Sequence, residues 1–128
     1  MKYMLLIYME EDALTEPERA HCYEESAQLA RDLDEEGRFV ATAPLYPVST
    51  ATSVRVRDGK RLVTDGAFAE TREQLGGFFL IEAGDLDEAI AVAGRIPGAR
   101  VGTVEIRPVI EVPGLPQRNP ARTVGELG

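Results

Sequence analysis

The predicted elements run β-α-β, then a hairpin, then β-α-β, which gives an α+β fold: a ferredoxin-like split β-α-β sandwich with an inserted β-hairpin. Three observations carry this reading. Two apolar runs, residues 3–9 and 76–81, have the length of buried strands. Two segments, opening at Thr15 and Asp85, combine helix-start chemistry with an apolar stripe. Between them Asp58-Gly59 joins two alternating segments. A chain of 128 residues, 44% hydrophobic and 28% charged, suits one core.

Residues 3–9 are too short for a typical helix and lack polar alternation, so they read as a central strand. Thr15-Glu16-Pro17-Glu18 has capping-box spacing, with Pro17 tolerated in the first turn, where N–H groups lack helical partners. The helix that follows is expected to bury Ala20, Tyr23, Ala27, Ala30 and Leu33 and to expose His21, Glu24, Glu25, Gln28, Asp32 and Glu35, ending near Gly37. Residues 38–45 supply a second strand, closed by Pro44 and Pro47. Residues 52–64 form the hairpin, because a two-residue Asp-Gly loop matches the twist of paired strands; it carries Arg55, Arg57, Lys60 and Arg61. A loop over 65–75 leads into the strand that opens with Gly76-Gly77, where bends or close backbone approach are permitted. Asp85 caps a short helix with Leu86, Ala89, Ile90, Ala93 and Ile96 inward, Pro97-Gly98 stops it, and residues 101–109 alternate as a last strand. Residues 1–110 thus make the domain. Residues 111–128, with Pro113, Pro116 and Pro120, form a tail or an arm laid on a partner.

Fourteen Lys and Arg against 22 Asp and Glu leave a charge of −8, which disfavours nucleic acid and anionic membrane surfaces as partners. No apolar run approaches the roughly 20 residues that span a bilayer, and no secretory pattern opens the chain, so a cytoplasmic address is expected. One cysteine, Cys22, and one histidine, His21, exclude an intrachain disulfide and multi-cysteine metal centres; no metal or cofactor is expected. With helices on one sheet face only, the other needs a cover, most simply a second copy packed sheet to sheet as a homodimer.

The stretch from Asp65-Gly66-Ala67-Phe68 through Gly76-Gly77-Phe78-Phe79-Leu80-Ile81, followed by Asp85-Leu86-Asp87-Glu88-Ala89 and Ile96-Pro97, resembles the DGPF-domain branch of the YCII-related family over about residues 1–110. The resemblance implies a dimeric α+β barrel. It also implies a bacterial protein whose relatives are often encoded near, or fused to, sigma factors of the extracytoplasmic-function type. Smaller relatives are thought to use a His/Asp pair with the histidine on the first helix. Anchored on Glu36-Gly37-Arg38, that histidine falls nearer Ser26 than His21, so His21 does not inherit its role. Ala67 stands where the family motif has proline.

Candidate chemistry concentrates in the loop. Asp65 is either a turn former or an acid/base group, with Glu70 as its candidate partner. Thr71, Arg72, Gln74, Gly76 and Gly77 are candidates for ligand binding, since side chains and exposed backbone amides there could orient a small molecule. No dinucleotide fingerprint or phosphate loop is present. His21 and Cys22 read as a solvated side chain and a boundary residue, Tyr3, Tyr8 and Tyr46 as packing residues that could reach a cleft. Two functions are expected: a homodimeric module binding a small molecule or a sigma-factor-type protein through residues 65–77, or a cofactor-free enzyme using Asp65 and Glu70.

Overall fold

The computed structural model describes residues 1–116. Its elements are β1 (Lys2–Met9), α1 (Glu16–Glu35), β2 (Phe39–Pro44), a 3-10 turn (Val48–Thr50), β3 (Thr52–Arg57), β4 (Lys60–Asp65), β5 (Gln74–Glu82), α2 (Leu86–Ala93), α3 (Gly98–Val101) and β6 (Thr103–Pro108). The four long-range strands form one antiparallel sheet in the order β2-β5-β1-β6, the ferredoxin-like arrangement, while β3 and β4 pair only with each other.

Local chemistry sets the helix ends. The Thr15 N–H donates to Glu18 Oε1 (2.9 Å) and the Glu18 N–H to Thr15 Oγ1 (3.3 Å), the reciprocal capping box the sequence predicts. At the other end Gly37, at φ +74°, lets Arg38 N–H reach Leu33 O (2.8 Å) and Gly37 N–H reach Asp34 O (3.1 Å), which satisfies the last carbonyls. Asp85 Oδ1 caps α2 by accepting from Glu88 N–H at 2.9 Å.

Strand alternation sends Tyr3, Leu5, Phe79 and Ile81 to one sheet face, where they meet Leu29 and Leu33 of α1, Ala89 and Val92 of α2, and Ile96. Leu5, Leu33, Ile81 and Ile96 are fully buried, each worth about 1.5–3 kcal/mol relative to exposure. The opposite face carries Met4 beside Leu80 and Leu6 beside Phe78, half-buried and directed away from the helices.

Four expectations are corrected. In α2, Leu86 and Ile90 are exposed while Val92 is buried with Ala89 and Ala93, and the helix ends at Ala93, capped by Gly94, before Pro97-Gly98. The inward line of α1 is Arg19, Cys22, Ser26, Leu29 and Leu33; of the expected stripe Leu33 is buried and Ala30 packs against the core, whereas Ala20, Tyr23 and Ala27 are exposed. Reading only apolar letters turned the helix by about one residue, because three of the five inward positions are not aliphatic. The last strand opens at Thr103 rather than 101, since residues 98–101 form α3. Asp65 ends β4, paired with Thr52, and β5 starts at Gln74, so the loop shortens to 66–73.

The β3-β4 ribbon turns at Asp58 (φ +51°) and Gly59 (φ +74°), the paired left-handed conformations that Asp-Gly favours. Val54, Val56 and Val63 on one of its faces are 58%, 61% and 59% exposed. Residues 109–116 lie exposed or half-buried without regular structure, and the rest of the expected tail falls outside the described residues.

Candidate functional site

A cleft of about 400 Å³ opens between the N-terminal half of α1 and the sheet, within the size range of small-molecule sites. From α1 it takes Arg19, Cys22, Tyr23, Ser26 and Ala27. The sheet and α3 supply Ile7, Met9, Phe79, Ile96 and Gly98, and Leu45 and Tyr46 flank its mouth. Residues 19, 22, 26, 29 and 33 follow three- and four-residue steps, so α1 packs its C-terminal half as core and spans the cleft with its N-terminal half.

Two ion pairs hold that helix over the opening. Arg100 reaches Glu25 at 2.8 and 3.0 Å and Arg95 grips Glu36 at 3.0 and 3.2 Å, tying α1 to the α2–α3 region. The Arg100 hydrogen bond holds the Glu25 carboxyl below the usual carboxylate range, and Arg95 does the same for Glu36. His21, on the outer side, sits 3.0 Å from Glu25 and faces solvent.

Gly76 and Gly77 shape the cleft floor. The register between β1 and β5 slips past Gly76, a bulge, and the freed Gly76 carbonyl accepts from Leu45 N–H at 2.9 Å. A Cβ on Gly77 would stand 3.0 Å from Ala43 O and 3.3 Å from Pro44 Cα, so the absent side chain lets β2 close against β5. Thr42, another lining residue, donates its hydroxyl to Phe78 O at 2.7 Å.

A second cleft, of about 660 Å³, lies across the wall formed by Leu45, Tyr46 and Pro47, and includes Tyr8, Ala67, Ala69, Thr71, Gln74 and Leu75. Among the loop candidates, Gln74 thus faces both clefts, Gly76 and Gly77 the first, and Thr71 the second. Arg72 pairs with Glu10, and the Thr71 hydroxyl donates to Glu73 O. Asp65 and Glu70 are exposed and line neither cleft. Among the described residues, no three His, Cys, Asp or Glu side chains converge to hold a metal ion, and no helix is long and apolar enough to cross a membrane.

Arg19, Glu11 and Thr42 were not singled out in the sequence. The signal was available for Arg19: it starts the line that continues through Cys22 and Ser26 to Leu29, and a cation at an inward helical position calls for explanation. Residues 1–113 match the family of YCII-related domains. A relative from Rhizobium meliloti (strain 1021), called "Uncharacterized protein R00369", is 36% identical over 118 residues, covering 85% of this chain and 92% of the relative.

Proposed function

We propose that this chain, which belongs to the YCII-related domain family, is a small-molecule-binding module whose ligand enters the cleft between α1 and the sheet. The carrying observation is the change of chemistry along one helix face, from Leu29 and Leu33 over the core to Ser26, Cys22 and Arg19 over the cleft. A helix that only closed a core would continue its aliphatic stripe. Ser26, nearer than His21 to the position that the resemblance implies for the smaller relatives' histidine, lies in this lining. Gln74, Gly76 and Gly77 complete the cleft as binding residues, with Thr71 and Arg72 in the adjoining loop.

The reading includes a homodimer. The half-buried outer sheet face and the valine face of the ribbon give a second copy apolar surface to cover, and a two-stranded ribbon is marginal in water by itself. Association with a sigma factor of the extracytoplasmic-function type and membership of the DGPF branch rest on the resemblance of residues 65–81. The enzymatic alternative uses Asp65 and Glu70 as acid and base; Ala69 and Thr71, which flank Glu70, line the second cleft, while the two carboxylates themselves stand outside it.

Native mass spectrometry of the gently desalted protein tests the module. A dimer carrying a reproducible extra mass, lost in a Ser26→Phe variant that fills the first cleft, is the expected result. A retained mass in that variant overturns the location, and a monomer overturns the covered-sheet argument. Retention in Ser26→Phe with loss in Asp65→Asn and Glu70→Gln variants moves the site to the second cleft.

A further inference from the structure

We infer that the first cleft selects a monoanionic ligand with an apolar body, a small carboxylic acid, and that Arg19 is its anion-binding residue; the inference rests on the cleft being the binding site.

Arg19 differs from the arginines that brace the helix and the loop, and from Arg31 of α1, which bonds Gln28 and lies outside the cleft lining. Arg95, Arg100 and Arg72 each pair with a carboxylate, Glu36, Glu25 and Glu10 in turn. Arg19 pairs with no carboxylate among the described residues, although the chain has 22 acidic side chains against 14 basic ones. One of its nitrogens, Nη2, donates to the backbone carbonyl of Glu11 at 2.8 Å, which fixes the guanidinium at the cleft. The rest of its donor fork has no protein partner among the described residues, and such a fork matches a carboxylate.

One oxygen of the acidic side chain in the same lining is held by backbone. Glu11 Oε2 accepts from the Val48 N–H at 2.9 Å and so anchors the 3-10 turn. The remaining lining is dominated by Ile7, Met9, Leu14, Leu45, Phe79 and Ile96. An apolar wall rewards an apolar body, and a single cation satisfies a single charge. A polyanion would leave further charges against that wall and would meet the repulsion of a molecule at −8.

The test is a titration of the ¹⁵N-labelled full chain with 3-phenylpropionate, octanoate and the neutral amide of each, followed by amide chemical shifts in wild type and in Arg19→Gln and Arg19→Lys variants. Expected are saturable shifts at cleft residues with the acids and binding about 10- to 100-fold weaker with the amides, the range for a lost charge-assisted hydrogen bond. Arg19→Gln removes the acid preference while amide binding persists, and Arg19→Lys restores part of it. Equal affinity for acid and amide in wild type, or an undiminished preference in Arg19→Gln, overturns the anion inference and leaves the cleft reading intact. Absence of cleft shifts with all four compounds overturns both, and a dispersed Arg19→Gln spectrum shows that the variant folds.

Discussion

Gly102 sits where the chain leaves α3 and enters β6, and its backbone is pressed against the end of β1. A Cβ there would lie 2.0 Å from Tyr8 O, 2.8 Å from Met9 Cβ and 3.0 Å from Met9 Cα. Ordinary contact begins at 3.4 Å, so Gly102→Ala must move the two backbones apart by about 1.4 Å, and no side-chain rotation relieves a clash with a main-chain carbonyl. Overpacking of this kind costs about 1–3 kcal/mol, and loosening the Tyr8 to Thr103 pairing at the start of β6 adds about 1. The stiffer unfolded chain returns about 0.4–1 kcal/mol. The expected net loss is about 1–3.6 kcal/mol, or roughly 4–14 °C in Tm for a domain of this size. Thermal and urea unfolding followed by circular dichroism measure it. Gly94→Ala is the control, since φ there is −66° and the nearest atoms stand 3.7 Å away; it is expected to be neutral or slightly stabilising. A Gly102→Ala Tm within about 2 °C of wild type would refute the close approach. Because Met9 lines the cleft, the same variant is expected to weaken ligand binding beyond its effect on stability.

Leu33→Ala, at a fully buried position, is expected to lose about 2–5 kcal/mol in urea unfolding, whereas Tyr23→Ala, at 48% exposure, loses less than about 1; similar losses would return α1 to the orientation its apolar letters suggest. Glu25 and Glu36 have folded-state pKa values below the ordinary one, so their contribution to stability is present above the ordinary carboxylate range and is lost as pH falls through the lower folded values. The Glu25→Gln/Glu36→Gln double variant should therefore approach wild-type stability as acid is added, and a constant gap in urea midpoint across that range contradicts the assignment. Trypsin is expected to cut first at Arg57, Lys60 or Arg61 in dilute protein and more slowly at concentrations where two copies associate; cutting independent of concentration counts against a covered ribbon.

The fold was legible because its signals are local. The capping box at Thr15, the Asp58-Gly59 turn and the short apolar run in β5 each specify a backbone geometry within a few residues. The site was legible only in part, for reasons visible in α1. Ala20, Tyr23 and Ala27 imitate a core stripe, while the inward positions hold Arg19, Cys22 and Ser26, whose polarity suits a cleft and therefore hides the inward face from a hydrophobic count. Gly76 and Gly77 mark a place for bending or close approach in the sequence; what Gly77 approaches, the Ala43–Pro44 backbone, lies more than thirty positions earlier and leaves no local trace. The loop carboxylates drew attention by proximity in sequence. Asp65 instead ends β4 opposite Thr52, exposed and outside both linings.

Helix α1 behaves as a cantilever. Its C-terminal half is clamped by Leu29 and Leu33 below and by Arg95 at its end, Arg100 holds it at mid-length through Glu25, and about 12 Å of it, from residue 16 to residue 24 at about 1.5 Å per residue, projects over a hollow. A beam held this way bends least at its root and most at its tip, and here the tip is tied down by the Arg19 to Glu11 strut and by little else. Amide hydrogen exchange should accordingly slow along the helix from residue 19 towards residue 33, and a ligand wedged beneath the beam would flatten that gradient from the free end inward.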